Sequence, residues 1–297
     1  MWEKMDVNGE MLRPQLEVMQ SGILQGDPLQ GAINVVTSDG VIAYQSDHVN
    51  KCNTKLPEAV NLTGQFIAIQ GGLHCLLGWM TTSPNATTPH KLVVFLHGDA
   101  VSSQSVDIKQ FATTVAQTTK DSVVLAIARP GYFVPNNGNS SGNTKDMRDH
   151  YTPENIDAVA LAINAVKDRY NLTETTIFGY SGGGVIGMNI LNRFPTIAQK
   201  GFCYACPLDT VRWRQMRGRS EWYNSLNPIT HMKHIPKDTV IMLVAGDGDN
   251  NSPVHLSERY AEAGKEYGLN IRVTEVEGDH GDFLSPQVLS LFSQINN

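Results

Sequence analysis

Several features that mark specialised classes of protein are missing from this 297-residue chain. Four cysteines are too few for a small disulfide-held scaffold, and the longest apolar runs, such as VIMLVA, are too short to span a membrane. The net charge of -6 lacks the positive excess on which nucleic-acid binding usually rests. The first residues, MWEKMDVNGEMLRPQ, have no apolar signal core. A cytoplasmic protein is therefore the default expectation, and a secretory signal that has already been removed is the alternative.

What is present is the composition of an ordinary globular protein, with 41% hydrophobic and 18% charged residues. Residues 1–63 show no clear pattern beyond a strand pair in INVVTSDGVIAY, joined by Ser38-Asp39-Gly40. We interpret them as an N-terminal extension of unknown role. Residues 64–297 begin with a hairpin, in which GQFIAIQ and LHCLLGWM flank Gly71-Gly72.

Strand-like and helix-like segments then alternate along the chain. The predicted strands are KLVVFLHG, SVVLAIARPG, TTIFGY, GFCYAC, TVIMLVAG and NIRVTEVEG. Between them lie helical patterns such as TPENIDAVALAINAVKDRY, with Thr152 as N-cap and Pro153 in the first turn. Such alternation predicts an α/β fold of three αβα layers, with a mostly parallel central sheet and an N-terminal antiparallel hairpin. Residues 209–236 interrupt the alternation and are predicted to form a small cap-like insertion.

The stretch FGYSGGGVIG matches two motifs that imply different chemistry. Read from Gly179 it is G-x-S-x-G, a nucleophile elbow that presents Ser181. Read from Gly182 it is G-x-G-x-x-G, a dinucleotide-binding turn whose acidic partner is expected about 20 residues later, near Asp209. Against the nucleotide interpretation, the glycine turn does not directly follow the strand, and the nucleotide-binding half would begin in mid-chain.

The elbow requires an acid and then a histidine after later strands, and it finds both in that order. Asp247-Gly248-Asp249 follows TVIMLVAG, and His280 follows NIRVTEVEG. We therefore predict that Ser181, Asp249 and His280 form a catalytic triad, with Asp247 as the alternative acid. A serine hydroxyl becomes a useful nucleophile when a neighbouring imidazole takes its proton, which is why these residue types belong together.

Acyl transfer also needs donors for the developing negative charge. The loop HGDA follows an earlier strand, KLVVFL. The backbone N–H groups of Gly182 and Asp99 are the predicted oxyanion donors, with Ala100 as the alternative to Asp99. Candidates for the substrate pocket are Trp213, Trp222 and Tyr132. Each of these three aromatic side chains equally suits a packing role.

Other patterns favour structural roles. The loop DGDNNSPVHLSE resembles a calcium site, but Ser252 stands where the sharp turn needs glycine and Pro253 follows. The pair His231 and His234 has no third ligand at helical spacing. We therefore expect no metal and no cofactor. A run of arginines is more typical of a solvated face than of an anion site, and it comprises Arg212, Arg214, Arg217 and Arg219.

The cysteines give no metal-site pattern. Cys203 and Cys206 form a single C-x-x-C, without the second pair that a zinc site requires. We expect them to act as buried small hydrophobic side chains at the end of a strand. Spacing alone leaves open whether they pair, and whether Cys52 pairs with Cys75.

With Ser181, Asp249 and His280 in this order, residues 64–297 resemble the α/β-hydrolase superfamily. The segments HGD, ARPGY, RDHYTPENIDAVALAI, GYSGGG and CPLDTVRWR more narrowly resemble bacterial members related to prolyl-oligopeptidase-like enzymes and esterases. The resemblance implies a mostly parallel sheet with helices on both sides, and acyl-transfer chemistry without a cofactor.

Together these features predict a serine hydrolase, best matched by a carboxylesterase that cleaves small or medium esters through an acyl-enzyme on Ser181. The insertion is too short for a lipase-like lid, which favours soluble small-molecule substrates. A serine peptidase or amidase is the alternative within the same chemistry. A non-catalytic binding protein on this fold and an NAD-dependent oxidoreductase are alternatives from other classes. The sequence leaves the oligomeric state open.

Overall fold

A computed structural model of the chain describes residues 33–37, 40–44, 52, 56–60, 63–99, 106–142 and 150–297. The chain divides into two compact units, residues 1–49 and 50–297. In the first unit, strands β1 (Ile33–Thr37) and β2 (Gly40–Tyr44) pair antiparallel, with Thr37 opposite Gly40. This confirms the predicted strand pair. Ser38 and Asp39, the rest of its predicted turn, lie outside the described residues.

The second unit is built on a sheet of eight strands. These strands are β3 (Gln65–Gly71), β4 (His74–Thr82), β5 (Lys91–Leu96), β6 (Ser122–Ala128), β9 (Glu174–Tyr180), β10 (Lys200–Tyr204), β11 (Val240–Gly246) and β12 (Ile271–Val276). Two short strands, β7 (Phe133–Val134) and β8 (Gly138–Asn139), form a separate antiparallel pair. The helices are α1 (Ile108–Ala116), α2 (Pro153–Tyr170), α3 (Gly182–Arg193), α4 (Thr210–Gln215), α5 (His255–Lys265) and α6 (Pro286–Asn296).

The strand order is β12-β11-β10-β9-β5-β6-β4-β3. Strands β5, β6 and β9 to β12 run parallel, whereas β4 is antiparallel to both β3 and β6. The mostly parallel sheet with an antiparallel N-terminal hairpin is thus confirmed. In that hairpin Gly71 pairs with His74, so the two-residue loop is Gly72-Leu73, one position later than predicted. Gly72 has a φ of 56°, the left-handed conformation that such tight loops require.

Helices cover both faces of the sheet because its strands are apolar on both sides. In β5, Leu92, Val94 and Leu96 contribute to one buried cluster, together with residues of α2, α3 and α5. The alternate residues Val93 and Phe95 contribute to a second cluster, together with residues of α1 and α6. Successive side chains of a strand point to opposite faces, so the two clusters are the two sides of one sheet. The predicted three αβα layers follow from this arrangement.

Local sequence signals define the ends of α2. Its N-cap is Thr152, whose hydroxyl accepts a hydrogen bond from the backbone of Asn155, and Pro153 follows in the first turn. The helix ends at Asn171, which adopts the left-handed conformation favoured by a short polar side chain.

The predicted insertion, residues 209–236, contains α4 and two 3-10 turns, Pro228–Thr230 and Met232–His234. Asp209 caps α4 through a hydrogen bond from the backbone of Arg212 to its side chain. Throughout the described ranges, every helix is too short or too polar to cross a membrane.

Candidate active site

The predicted site residues lie in loops at one edge of the sheet. Ser181 directly follows β9, Asp249 lies three residues after the end of β11, and His280 lies four residues after the end of β12. The loop from His97 to Asp99 follows β5. Because these strands are parallel, their carboxyl ends meet at the same edge, where the side chains that follow them can converge.

The structure brings Ser181, His280 and Asp249 together in a linear hydrogen-bonded array. His280 Nε2 lies 3.0 Å from Ser181 Oγ, and His280 Nδ1 lies 2.9 Å from Asp249 Oδ2. A carboxylate only accepts, so Nδ1 donates to Asp249 and Nε2 is left to accept from the serine hydroxyl. The Asp249 side chain is fully buried, whereas a quarter of the His280 side chain is exposed. This arrangement can transfer a proton from the serine to the imidazole.

Ser181 has a strained backbone. Its φ of 50° and ψ of -120° lie in a region that residues with a side chain rarely adopt, and its N–H donates to Tyr204 O at 2.9 Å. That bond ties the residue to the neighbouring strand β10. The sharp turn between β9 and α3 results from this conformation, and it places the side chain beside His280.

Asp249, rather than Asp247, contacts the histidine. The second oxygen of Asp249 accepts from the backbone N–H groups of Asn251 at 2.7 Å and Ser252 at 2.9 Å. Burial alone raises the pKa of Asp249, but the hydrogen bond from His280 and the two backbone donors outweigh that effect and lower the pKa. Asp247 is exposed, and its carboxylate accepts from the backbone of Gly278 at 3.1 Å.

The two predicted oxyanion residues are neighbours in space. A Cβ placed on Gly182 would lie 2.4 Å from Asp99 Oδ1, so a larger residue would require the Asp99 carboxylate to move. The Asp99 carboxylate accepts from Arg129 Nη2 at 2.7 Å and from the Tyr151 hydroxyl at 3.0 Å. These donors balance a negative charge that lies beside the first turn of α3. Ala100, the alternative donor, lies outside the described residues.

Tyr132, a predicted pocket residue, is fully buried. Its hydroxyl accepts from Arg129 Nη2 at 2.7 Å, and its ring packs edge-on against His97, with the ring centroids 4.6 Å apart. A fully buried ring offers no surface to a substrate in this structure. Tyr132 instead supports the Arg129 guanidinium that holds Asp99.

The two predicted tryptophans make different contacts. The buried Trp213 donates its indole N–H to Asn251 O at 2.9 Å, which ties the insertion to the loop that carries Asp249. The half-buried Trp222 stacks on His150, with the ring centroids 4.7 Å apart. The two tryptophan rings lie 5.9 Å from each other. Trp213 is thus linked to the triad through one residue, and Trp222 is further removed.

Asn251 is a site residue that the sequence analysis missed. Its Nδ2 lies 2.8 Å from His280 Nε2 and 3.3 Å from His280 Nδ1. Its Oδ1 accepts from Arg217 Nη2 at 2.6 Å, and the same Nη2 atom also contacts Asn251 O. The signal available in the sequence was its position two residues after Asp249, in a loop expected to face the histidine. Arg217, placed in a solvated arginine run by the sequence analysis, instead anchors this loop.

Both cysteine pairs form disulfides, Cys52–Cys75 and Cys203–Cys206. Cys203 and Cys206 are buried, as expected, and the disulfide settles the pairing that their spacing left open. Their sulfurs lie directly under α3, since a Cβ on Gly184 would lie 2.0 and 2.1 Å from them. The first turn of the helix after Ser181 thus rests on the Cys203–Cys206 bond.

Residues singled out for other chemistry have structural partners. Asp209, the ribose ligand of the nucleotide interpretation, is buried and accepts from Arg259 Nη2 at 3.0 Å and from Asn227 Nδ2 at 3.2 Å. His231 and His234 lie beside and within the second 3-10 turn of the insertion. Within the described ranges, no three His, Cys, Asp or Glu side chains are grouped so as to hold a metal ion.

Comparisons with known proteins give similarity at the level of structure. No family model matches the chain, and no curated protein matches it in sequence. Pyrococcus horikoshii acylaminoacyl peptidase superposes with a TM-score of 0.59 at 13% identity, over 78% of this chain and 41% of that one. Pyrococcus furiosus esterase Pf2001 superposes with a TM-score of 0.59 at 18% identity, over 78% of this chain and 89% of that one. Est1E from Butyrivibrio proteoclasticus, with ferulic acid bound, superposes with a TM-score of 0.57 at 15% identity, over 77% of this chain and 95% of that one.

The chain therefore spans about two fifths of the acylaminoacyl peptidase, and most of each esterase. At these identities the similarity concerns the fold alone.

Proposed function

Since the chain has the α/β-hydrolase fold, as the resemblance in its motifs implied, we propose that it is a serine hydrolase. The observation that carries this proposal is the array of Ser181 Oγ, His280 and Asp249, at 3.0 and 2.9 Å, assembled from three separate loops. Side chains from three separate loops form such an array only when the strand order brings the loops together and each loop carries the required residue type.

In the proposed reaction Ser181 Oγ attacks the substrate carbonyl carbon while its proton passes to His280 Nε2. Asp249 holds the other ring nitrogen and stabilises the imidazolium that forms. The N–H groups of Gly182 and Asp99 are assigned to the oxyanion of the tetrahedral intermediate. The C–O or C–N bond then breaks, and His280 returns the proton to the leaving group. Water repeats the sequence to release the acid and restore Ser181.

For the substrate we propose small or medium carboxylic esters. Two supports are the similarity to esterase Pf2001 and Est1E over most of their lengths, and the short insertion at the site. A serine peptidase or amidase is the second candidate. It is favoured by the similarity to acylaminoacyl peptidase, although this chain corresponds to 41% of that protein.

A fluorophosphonate probe tests the serine. We expect the probe to label the wild-type protein and to fail with Ser181→Ala, because only an activated hydroxyl reacts with it. The matched control is Ser290→Ala, which removes an exposed serine on α6 and is expected to label like the wild type. Absence of labelling in folded wild-type protein would refute the proposal.

A second experiment tests the acid. We expect Asp249→Asn to lower kcat by about 10⁴-fold, because the amide favours the wrong imidazole tautomer, as in the corresponding triad change in serine proteases. Asp247→Asn is the control, since that carboxylate is exposed and bonds the backbone of Gly278. Comparable losses in the two variants would argue against Asp249 as the triad acid.

A further inference from the structure

The carboxamide of Asn251 lies beside the ring nitrogen from which a leaving group must receive its proton. In the proposed reaction that proton comes from His280 Nε2, and Asn251 Nδ2 is 2.8 Å from this atom. Any atom that accepts the proton must approach the same nitrogen to hydrogen-bond distance. The departing atom of the substrate therefore comes close to the Asn251 amide, within reach of a small movement of that side chain. This argument rests on the proposed function.

Arg217 determines which end of the Asn251 carboxamide faces the leaving group. A guanidinium has five N–H donors and no acceptor, so the atom it contacts at 2.6 Å must be the oxygen of Asn251. The NH₂ group is then left to face His280. Trp213 and Arg217 both also donate to the backbone carbonyl of Asn251, so the insertion holds the residue from two sides. The orientation is thus fixed by contacts outside the triad.

Ester and amide leaving groups differ in what they offer to this NH₂ group. When an ester intermediate collapses, the C–O bond breaks and its electron pair moves to the leaving oxygen. That oxygen takes the proton from His280 and keeps another lone pair that can accept from Asn251. An amide nitrogen uses its only lone pair for the same proton. It then presents N–H groups to the NH₂ of Asn251, which is a contact between two donors.

We propose that Asn251 is a catalytic residue that binds the leaving oxygen, and that it makes this site selective for esters over amides. Arg217 is the positioning residue that turns the NH₂ group toward the departing atom. The assignment concerns the leaving-group side of the reaction, whereas Gly182 and Asp99 are assigned to the carbonyl oxygen. It identifies the substrate class by the chemistry of the bond that breaks.

The test is a series of butyrate substrates with leaving groups of different basicity. We expect Asn251→Ala to lower kcat/KM for ethyl butyrate about tenfold, as for loss of one hydrogen bond to a charged or developing-charge oxygen. The loss should shrink for p-nitrophenyl butyrate, whose leaving oxygen carries little basicity, and vanish for the p-nitroanilide of butyric acid. The matched control is Asn250→Ala, which removes the adjacent exposed asparagine that bonds Gly248 O.

Three further variants and one control separate orientation from folding. Asn251→Asp keeps the size and the contact with Arg217 but presents an acceptor to the leaving group. It should lower the ester rate further while the anilide rate holds or rises. Arg217→Ala, like Asn251→Ala, should lower the ratio of kcat/KM for ethyl butyrate to kcat/KM for the anilide. Arg217→Lys should restore part of that ratio. Arg219→Ala, an exposed arginine of the same insertion, should leave the ratio unchanged.

The outcomes distinguish this inference from the proposed function. The inference is supported if the ratio of kcat/KM for the ester to kcat/KM for the anilide falls in the Asn251 and Arg217 variants while their thermal unfolding is unchanged. An equal loss for every leaving group, or no loss, overturns it while labelling of Ser181 still stands. Faster hydrolysis of the anilide than of ethyl butyrate by the wild type also overturns it. If Ser181 is not labelled at all, the proposed function fails and the inference fails with it.

Discussion

Gly183 lets helix α3 begin directly against strand β5. A Cβ at this position would lie 2.0 Å from Leu96 O and 2.5 Å from His97 O, which are backbone atoms of the strand and of the loop after it. Backbone atoms cannot turn aside as a flexible side chain can. The close approach brings the first turn of α3, and with it Ser181, to the edge of the sheet.

We therefore expect Gly183→Ala to destabilise the protein by about 3 kcal/mol, at the upper end for overpacking, and to reduce fluorophosphonate labelling of Ser181. The control is Gly201→Ala in strand β10, where the added Cβ would also face helix α3. Its Cβ would meet the ends of two flexible side chains, Leu191 and Met188, at 2.8 Å, so its loss should be smaller. Urea unfolding measures both variants, and equal losses would contradict this account.

The sequence was sufficient to predict that Ser181, Asp249 and His280 would meet, because each follows a strand of a parallel sheet. That prediction needed only the succession of strands along the chain and the positions of the loops that follow them. The contact of Asn251 with Arg217 was not predictable in this way. Arg217 lies in an insertion without strand or helix periodicity, and its partner is 34 residues away in the chain. Only the folded arrangement of the insertion decides which arginine reaches the loop.

At the scale of elements, periodicity and end signals predicted the strands and helices of the sheet to within a few residues. The helix α2 is the clearest case, since Thr152 and Pro153 define its start. The short pair β7 and β8 was missed because two-residue strands carry no period. The disulfides were left open because pairing depends on the distance between Cα atoms, which is 5.1 Å for Cys52 and Cys75.

The Cys52–Cys75 bond is predicted to stabilise the second unit more than the Cys203–Cys206 bond does. It joins residues 23 apart in sequence and ties the segment before β3 to strand β4, whereas the other pair is 3 apart. In the chain-entropy model, a disulfide that closes a loop of the Cys52–Cys75 length stabilises the folded state by about 3 kcal/mol. We expect Cys52→Ala/Cys75→Ala to lower the unfolding free energy by about that amount in non-reducing buffer. Cys203→Ala/Cys206→Ala is the comparison, and a larger loss there would show that packing under α3 outweighs loop length.

A buried ion pair joins helices α2 and α3. Arg193 donates to both oxygens of Asp157, at 2.9 and 2.8 Å, and both side chains are almost fully buried. We expect Asp157→Ala to cost about 3 to 5 kcal/mol, because it leaves a buried guanidinium without this carboxylate. The double variant Asp157→Ala/Arg193→Met should recover part of the loss, since no buried charge is then left over. Urea unfolding of the single and double variants measures this, and additive losses would contradict it.

For the whole molecule, the loss of unfolding free energy in acid depends on groups that bind fewer protons in the folded state than in the unfolded one. His97 is the main case, since it is buried between β5 and the Arg129 backbone. Its Nδ1 donates to Gly98 O at 2.7 Å, and its Nε2 accepts from the Arg129 N–H at 3.0 Å. Burial, and then the positive charge of Arg129, hold the pKa of His97 well below its ordinary value of 6.5, despite the opposing hydrogen bond to Gly98.

Because the pKa of His97 is lowered on folding, the unfolded chain takes up a proton below pH 6.5 that the folded protein does not. The unfolding free energy should therefore fall as the pH drops through this range. Asp249, whose pKa is lowered from 3.8, adds a loss of the same sign in stronger acid. The variant His97→Gln keeps one donor and one acceptor but does not titrate. We expect it to flatten the decline measured by urea unfolding from about pH 8 to about pH 5. An unchanged decline in His97→Gln would show that another group controls it.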